Sequence, residues 1–386
     1  MRTFQHVETP LRVFSGADCL PRLERELARL GASRAVIFTG NTLSRGPLVE
    51  MVRAGMGNRC AGVYAGVRAH TPRTGVEEAA AELRRLEADA IVAVGGGSAV
   101  VTARAAAIYL AEGNDLDAMC TIRDAQGRMQ SPHLELPKIP QIIVPTTPNT
   151  AMVKAGSAVF DVEAGQRKAL FDPKTRSQSI FLHPDLLMSA PAALVLSSSF
   201  DTLALAIEGL LSRGGDAMAD ASLMHSVRLL AKGLPRIGGD DDADLRLDMT
   251  LAAVLCGRGT DHAGAGAATV LGHAIGANHD VENGTAKAVL MAHVLRYNAG
   301  HAAEGVQKVA AALGLHGGGD PVDGICAALS DIFGALGVPQ RLRDLDIAPE
   351  AFPAIAARGM DDWFLQGNPR PIREPGALEE ILQAAW

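Results

Sequence analysis

Between residue 15 and about residue 185 the chain alternates between two hydrophobic rhythms. Leu20, Leu23, Leu27 and Leu30 recur at intervals of three and four, the spacing that lines one face of a helix, and the run stops at Gly31. Ala35-Val36-Ile37-Phe38-Thr39 then forms a continuous apolar stretch of strand length. The cycle repeats: Val76, Ala80, Leu83 and Leu86 predict a helix, and Ala90-Ile91-Val92-Ala93-Val94 a buried strand. That strand runs into Gly95-Gly96-Gly97-Ser98 and a second helical stretch, Ala99 to Leu110. A third strand, Ile142-Ile143-Val144, stops at Pro145-Thr146-Thr147-Pro148. Such alternation predicts parallel strands joined by crossover helices, with the Gly and Thr/Pro turns at the carboxyl edge of the sheet, where open α/β sheets bind ligands. Beyond His183-Pro184-Asp185 the pattern turns helical and stays so, with a core stripe at Val227, Leu230 and Leu234 and loops at 238–242 and 317–320. The expectation is an α/β domain over 1–185 followed by an all-helical domain over 186–386.

Composition agrees with two well-packed domains. The chain has 386 residues, 48% of them apolar and only 4% aromatic, with 41 glycines, so its cores are built from small aliphatic side chains. Lys plus Arg less Asp plus Glu is 36 − 43 = −7, and no basic run exists that would neutralise a phosphate backbone, which argues against a nucleic-acid partner. The five cysteines (Cys19, Cys60, Cys120, Cys256 and Cys326) are scattered without C-x-x-C spacing and read as reduced core thiols. The opening residues lack a basic stretch followed by an apolar one, and no long uncharged, strongly hydrophobic window occurs; a cytoplasmic protein without a membrane partner is expected.

Gly95-Gly96-Gly97-Ser98, set between a strand and a helix, lets the backbone approach a ligand while helix amides face it, which suits a pyrophosphate. By itself the triplet also fits a simple tight turn. Thr146 and Thr147, ending another strand, add two hydroxyls able to meet a ribose or phosphate.

At this point the sequence resembles the iron-containing, group III alcohol dehydrogenases and their relatives the maleylacetate reductases. The resemblance runs over nearly the whole chain, through His70-Thr71-Pro72, AIVAVGGGS (90–98), PTT (145–147), Gly165-Gln166-Arg167-Lys168 and His183-Pro184-Asp185-Leu186-Leu187. It continues through FDTLALAIEGLLS (200–212), LGHAIGA (271–277) and AHVLRYN (292–298). It implies a dehydroquinate synthase-like architecture: an N-terminal dinucleotide-binding α/β domain, an all-helical C-terminal domain and an active site in the cleft between them. It also implies NAD or NADP as the hydride carrier, acting on alcohols, aldehydes or an unsaturated keto diacid, and a homodimer.

The departures from the family are informative. Its metal-dependent members hold a divalent ion with one aspartate and three histidines, and of the four matched positions only Asp201 remains. The others are Leu205, Thr269 and Asn283, the last followed by Gly284. A carboxylate, a hydroxyl and an amide form a poor site for iron or zinc, so no metal is expected. On one continuous helix His262 and His273 would share a face to within about 20° yet stand roughly 16 Å apart, too far to share an ion. A relocated site on Asp201, His273 and His279 with a water is the alternative. His273 matches the family's non-ligand histidine implicated in proton relay, a role suited to a side chain with an ordinary pKa near ~6.5. His293 is expected to be structural, and His70 to serve its turn.

Without a metal, the oxygen that gains charge during hydride transfer needs another electrophile. The candidates are Arg258, Lys154 and His273; Arg258, His262, Thr269 and His273 would form a rough stripe on a single helix, and Arg258 could clamp a carboxylate. For each of Arg258 and Lys154 the alternative reading is a solvated side chain or one paired with an acidic neighbour. After the glycines, Val101 and Arg104 stand where many relatives carry Asp and Lys, and the segment after PTT reads Pro148-Asn149-Thr150-Ala151-Met152-Val153-Lys154 in place of small glycines and Ser-Glu. Gly40-Asn41, with Arg45 nearby, ends the first strand where an acidic residue would select NAD, so NADP is permitted. The coenzyme is therefore expected on Gly40, Asn41, Gly95, Gly96, Gly97, Ser98, Thr146, Thr147 and Lys168. The reading is a metal-independent NAD(P)-dependent oxidoreductase acting on a small polar, carboxylated carbonyl or unsaturated keto acid. The alternatives are a degenerate relative with a binding, regulatory or non-redox role, and an alcohol dehydrogenase with a relocated metal.

Overall fold

The computed structural model describes residues 3–124 and 129–386, which form two compact units, Glu8–Ala190 and Pro191–Trp386, the second joined by the opening segment through Val7. The division thus falls at Ala190, a little beyond the expected 185/186. The reason lies in the short helix Pro184–Met188, which His183 caps through the Asp185 amide and whose Leu186 is buried in the sheet's own core with Val92 and Phe181. The opening segment joins the helical unit because His6 bonds Asp216 at 2.8 Å and stacks on His262 with ring centroids 3.7 Å apart.

In the first unit, β1 (Arg12–Ser15), β2 (Ala35–Gly40), β3 (Cys60–Val67), β4 (Ala90–Gly95), β5 (Gln141–Pro145) and β8 (Ser179–Leu182) form one sheet in the order β1-β8-β5-β4-β2-β3, every pair parallel. The central strands β4 and β5 are buried throughout, which is why their sequences read as continuous apolar runs rather than alternations. Helices α1 (Leu23–Arg29), α2 (Pro47–Gly55), α3 (Arg73–Arg85) and α4 (Gly97–Glu112) belong to this unit. Between β5 and β8, the antiparallel hairpin β6 (Gly156–Asp161) and β7 (Gln166–Phe171) turns at Gly165, whose φ is +62°. From β2 the chain moves outward to β3, then returns to place β4 on the other side of β2. The sheet's direction of growth reverses there, at the carboxyl ends of β2 and β4, the location at which open α/β sheets form a ligand crevice.

The second unit is helical: α5 (Ala192–Leu211), α6 (Ala217–Gly233), α7 (Ala243–Ala263), α8 (Ala267–Gly276) and α9 (Asn283–Asn298) supply its centre, with α9 packed on α5 and α8. By length and composition α5 alone among the described helices is apolar enough to cross a membrane, but it carries Asp201 and Glu208 and buries Leu203, Ala206 and Ile207 inside the unit, as a core helix does. α7 stops at Gly264, whose φ of +79° is open to glycine and strained for other residues, and α8 starts afresh at Ala267. The single helix expected to carry Arg258, His262, Thr269 and His273 is therefore two helices, and the stripe does not exist. All five cysteines are free thiols, and only Cys60 is not fully buried.

Candidate active site

On the α/β unit the glycine turn links β4 to α4. Gly95 has φ +142°, and its carbonyl accepts from the Thr146 amide at 3.0 Å, which ties the ends of β4 and β5 together. A Cβ on Gly96 would sit 3.1 Å from the Thr147 hydroxyl oxygen, so the turn and the two threonines form one close-packed edge. α4 starts at Gly97 with no side-chain cap; the Ala99 amide bonds the Gly96 carbonyl at 3.1 Å, and the positive end of the helix dipole is left to a ligand. Gly40 and Asn41 lie at the end of β2, across the reversal point from the glycines. Gly40, Asn41, Gly95 to Ser98, Thr146 and Thr147 are thus all brought to the ends of three neighbouring strands.

The segment after PTT is held by residues that sequence patterns did not assign to it. Arg104 is fully buried on α4; its guanidinium donates to the carbonyl of Gly156 at 2.5 Å and to that of Ala151. Arg176 donates to the Val153 carbonyl at 2.8 Å and the Ser177 hydroxyl to that of Met152 at 2.5 Å. Arg104 accordingly braces this loop from beneath. Lys154 follows, half-buried. Lys168, on β7, is paired with Asp117 and, at 3.2 Å, with Asp161, and these carboxylates raise its pKa. Its charge is compensated within the unit.

On the helical unit the retained aspartate has an unexpected partner. Lys287 on α9 is fully buried, and its ammonium lies 2.6 Å from Oδ1 of Asp201 on α5, whose side chain remains 29% exposed. Gly272 of α8 makes room for the lysine stem, since a Cβ there would come within 2.6 Å of Lys287 Cγ. Of the other three positions of the family's donor set, one cannot donate, one is engaged elsewhere and one offers only an amide oxygen. Leu205 is buried and has no lone pair. The Thr269 hydroxyl donates to Glu208 at 2.5 Å, and Glu208 also accepts from the Ala268 and Thr269 amides at 2.6 and 3.1 Å, capping α8. Asn283 Oδ1 is buried without a hydrogen-bond partner beside Gly276, where a Cβ would be only 2.0 Å away, and it offers a single neutral amide oxygen. Burial pushes the Glu208 carboxyl above the ordinary range, against the pull of Thr269, the Lys287 charge and backbone amides. A divalent ion at Asp201 would meet one carboxylate already bound to an ammonium, so these residues do not fit the family's metal.

His273, on α8, donates or accepts through Nδ1 at 2.7 Å from Oδ2 of Asp362, which also takes the Phe364 amide at 2.9 Å. Burial pushes the Asp362 carboxyl up, but the charge and hydrogen bond of His273, the Phe364 amide and the Lys287 charge outweigh it and hold the group below its usual pKa. An ionised Asp362 favours the tautomer with its proton on Nδ1, leaving Nε2 as the atom that exchanges a proton. Asp362 escaped the sequence reading because it lies 89 residues from His273 and in no shared motif. Lys287 escaped it too, though a lysine inside the apolar run Ala286-Lys287-Ala288-Val289-Leu290 was the available signal.

Arg258 is half-buried on α7. Among the described residues, one trio of His, Cys, Asp or Glu brings its donor atoms within 4.8 Å: His6, Asp216 and His262. Asp201, His273 and His279 do not converge, so the relocated site has no geometric support. The trio is itself a stack: its imidazole centroids are 3.7 Å apart, whereas two histidines sharing a tetrahedral ion with bonds of ~2.0 Å would hold theirs roughly 5 Å apart. His293 sits half-buried on α9; burial, then the charges of Arg341 and Arg296, lower its pKa, in keeping with a structural role. His70 and Thr71 adopt φ of 59° and 51°, and the Thr71 carbonyl accepts from the Phe160 amide, so this motif shapes a turn.

A parallel sheet with this glycine turn, followed by an all-helical unit bearing Asp201 and His273, is the architecture of the group III alcohol dehydrogenases. The chain belongs to the iron-containing alcohol dehydrogenase family, matching its N-terminal model over residues 10–184 and the family's C-terminal model over 195–386. It is 30% identical to the lactaldehyde reductase of Escherichia coli over 96% of this chain and 97% of that one. With the maleylacetate reductase of Sphingobium indicum it shares 28% identity over 99% and 97%. A crystal structure of a 1,3-propanediol oxidoreductase superposes with a TM-score of 0.90 at 26% identity, covering both chains completely. These relatives place the chain among the oxidoreductases acting on alcohols and aldehydes and among relatives of the maleylacetate reductases.

Proposed function

We propose that the protein is an NAD(P)-dependent oxidoreductase that transfers hydride without a bound metal, reducing a small polar and carboxylated carbonyl compound. The observation that carries this reading is the Lys287 ammonium on Asp201, at the one donor position that the chain retains. Gly95 to Ser98 and the start of α4 would take the coenzyme's pyrophosphate, and Gly40, Asn41, Thr146 and Thr147 its ribose and nicotinamide portions. Lys168 is a weaker member of this group because two carboxylates already hold it. His273, oriented by Asp362, delivers the proton, and Arg258 or Lys154 receives the substrate's carboxylate or developing oxyanion. An unsaturated keto acid is favoured, as with the maleylacetate reductases that the chain resembles. Hydride addition to a conjugated system spreads the new charge over an enolate, which cationic side chains can stabilise alone.

The test is turnover by chelator-treated protein, followed through the absorbance of NADH or NADPH, with an unsaturated keto diacid and with simple aldehydes. Coenzyme consumption by metal-stripped protein, faster with the keto diacid, supports the reading. Binding of neither coenzyme at millimolar concentration would sink it and favour a non-redox role.

A further inference from the structure

We propose that Lys287 is the resident cation of the Asp201 site: a tethered ammonium in the place of a divalent ion, which fixes Asp201 as an ionised acceptor for a substrate hydroxyl hydrogen. The inference rests on the reading above and adds the residue that makes it workable. Four observations meet here. The lysine is fully buried, where an ammonium without a counter-charge is costly. It bonds one oxygen of Asp201 at 2.6 Å while that side chain stays 29% exposed, so its inner face is committed and part of the group still meets solvent. Its charge also bears on Glu208, on the same helix as Asp201, and on Asp362, the partner of the relay histidine, so one cation serves three acids. Finally, the stem lies against Gly272, where any side chain would collide with it.

The substitution has a chemical consequence. A divalent ion on one carboxylate leaves a site with net charge 2 − 1 = +1, whereas an ammonium on that carboxylate leaves 1 − 1 = 0. A neutral pair stabilises a localised alkoxide poorly, so the site suits a substrate that delocalises the incoming charge, a conjugated carbonyl over a simple aldehyde. Lys287 acts through Asp201 and is a positioning residue.

The experiment compares K287A, K287M and the doubly neutral D201N/K287M variant with the wild-type protein, measuring NAD(P)H binding, kcat and KM separately, and the response to added ethylammonium. Coenzyme affinity should stay within about twofold in all of them, because the glycine turn lies on the other unit. In K287A and K287M kcat should fall about 10–100-fold, the range seen when an orienting partner is removed, with KM moving less. Ethylammonium should restore K287A severalfold and raise its melting temperature, and should do neither for the wild-type protein or for K287M, whose side chain fills the space that alanine would leave. D201N/K287M, which removes both charges of the 2.6 Å pair, should fold yet turn over as slowly as K287M. Wild-type kcat in K287M or D201N/K287M overturns the proposal, as does equal rescue of K287A and K287M. If the wild-type protein turns over no carbonyl substrate, the functional reading fails, while the ethylammonium melting shift of K287A still reports whether the space beside Asp201 holds a cation.

Discussion

Replacing Asp362 by asparagine keeps the shape of the side chain and its bond to the Phe364 amide but removes the charge facing His273. The native contact is a 2.7 Å hydrogen bond between groups that are only 19% and 25% exposed, so solvent screens it weakly. A bond of this charged type contributes about 1.5–3 kcal/mol. At about 1.4 kcal/mol per factor of ten, D362N should lower kcat about 10–150-fold. The mechanism is specific: an asparagine amide donating to Nδ1 moves the ring proton to Nε2 and destabilises the imidazolium. H273Q, which deletes the relay itself, should lose about 10²–10⁴-fold. Steady-state kinetics on the two single variants and H273Q/D362N make the assay, with coenzyme binding by NAD(P)H fluorescence as the control. Because Asp362 works only through His273, the double variant should be no slower than H273Q. Losses that multiply, or a D362N kcat within twofold of wild type, would refute the relay.

Three further substitutions probe the rest of the account. Gly95→Ala places a side chain at φ +142° and within 3.3 Å of Ala99 Cβ; it should cost about 1–3 kcal/mol in thermal unfolding and weaken coenzyme binding, and unchanged affinity would remove the glycine turn from the coenzyme site. Arg104→Met leaves the carbonyls of Gly156 and Ala151 without their charged donor, about 1–3 kcal/mol apiece, and should make the 148–156 segment the first region to exchange its amides; unaltered protection there would show that Arg104 does not brace it. Glu26 is raised by burial, but its bonds to Arg29 and Ser179 and the charges of Arg29 and Arg12 hold its carboxyl below the ordinary glutamate value. Its stabilising effect is therefore complete above that ordinary value and drains as pH falls through the depressed folded value. The melting-temperature gap between wild type and E26Q should accordingly hold from about pH 7 to about pH 5 and shrink towards pH 3, and a gap independent of pH would refute the assignment.

The α/β half of the fold was legible because buried parallel strands leave continuous apolar runs and the turns at their ends are marked by Gly, Thr and Pro. Those local signals place Gly95 to Ser98, Thr146 and Thr147 correctly at strand ends. The helical half was legible in outline only. Periodicity runs across Gly264 without registering that the residue takes a positive φ, so two helices read as one and Arg258 was joined to His273. The missing donors at Leu205, Thr269 and Asn283 were legible only through the resemblance to the family, whose ligand positions these residues match. What replaced them was not legible, because the Lys287–Asp201 and His273–Asp362 pairs are separated by 86 and 89 residues and only the packing of helices brings them together. Lys168 shows the opposite failure: a motif residue whose charge is taken up by Asp117 and Asp161, which no sequence pattern linked to it.

The most direct test measures metal content and turnover on the same sample. Protein purified without chelator, then dialysed against one, is assayed with NADH or NADPH and an unsaturated keto diacid while iron and zinc are determined by elemental analysis. Full activity with metal far below one ion per chain is the predicted result. Activity that vanishes on chelation and returns as one iron or zinc per chain is restored would contradict the account.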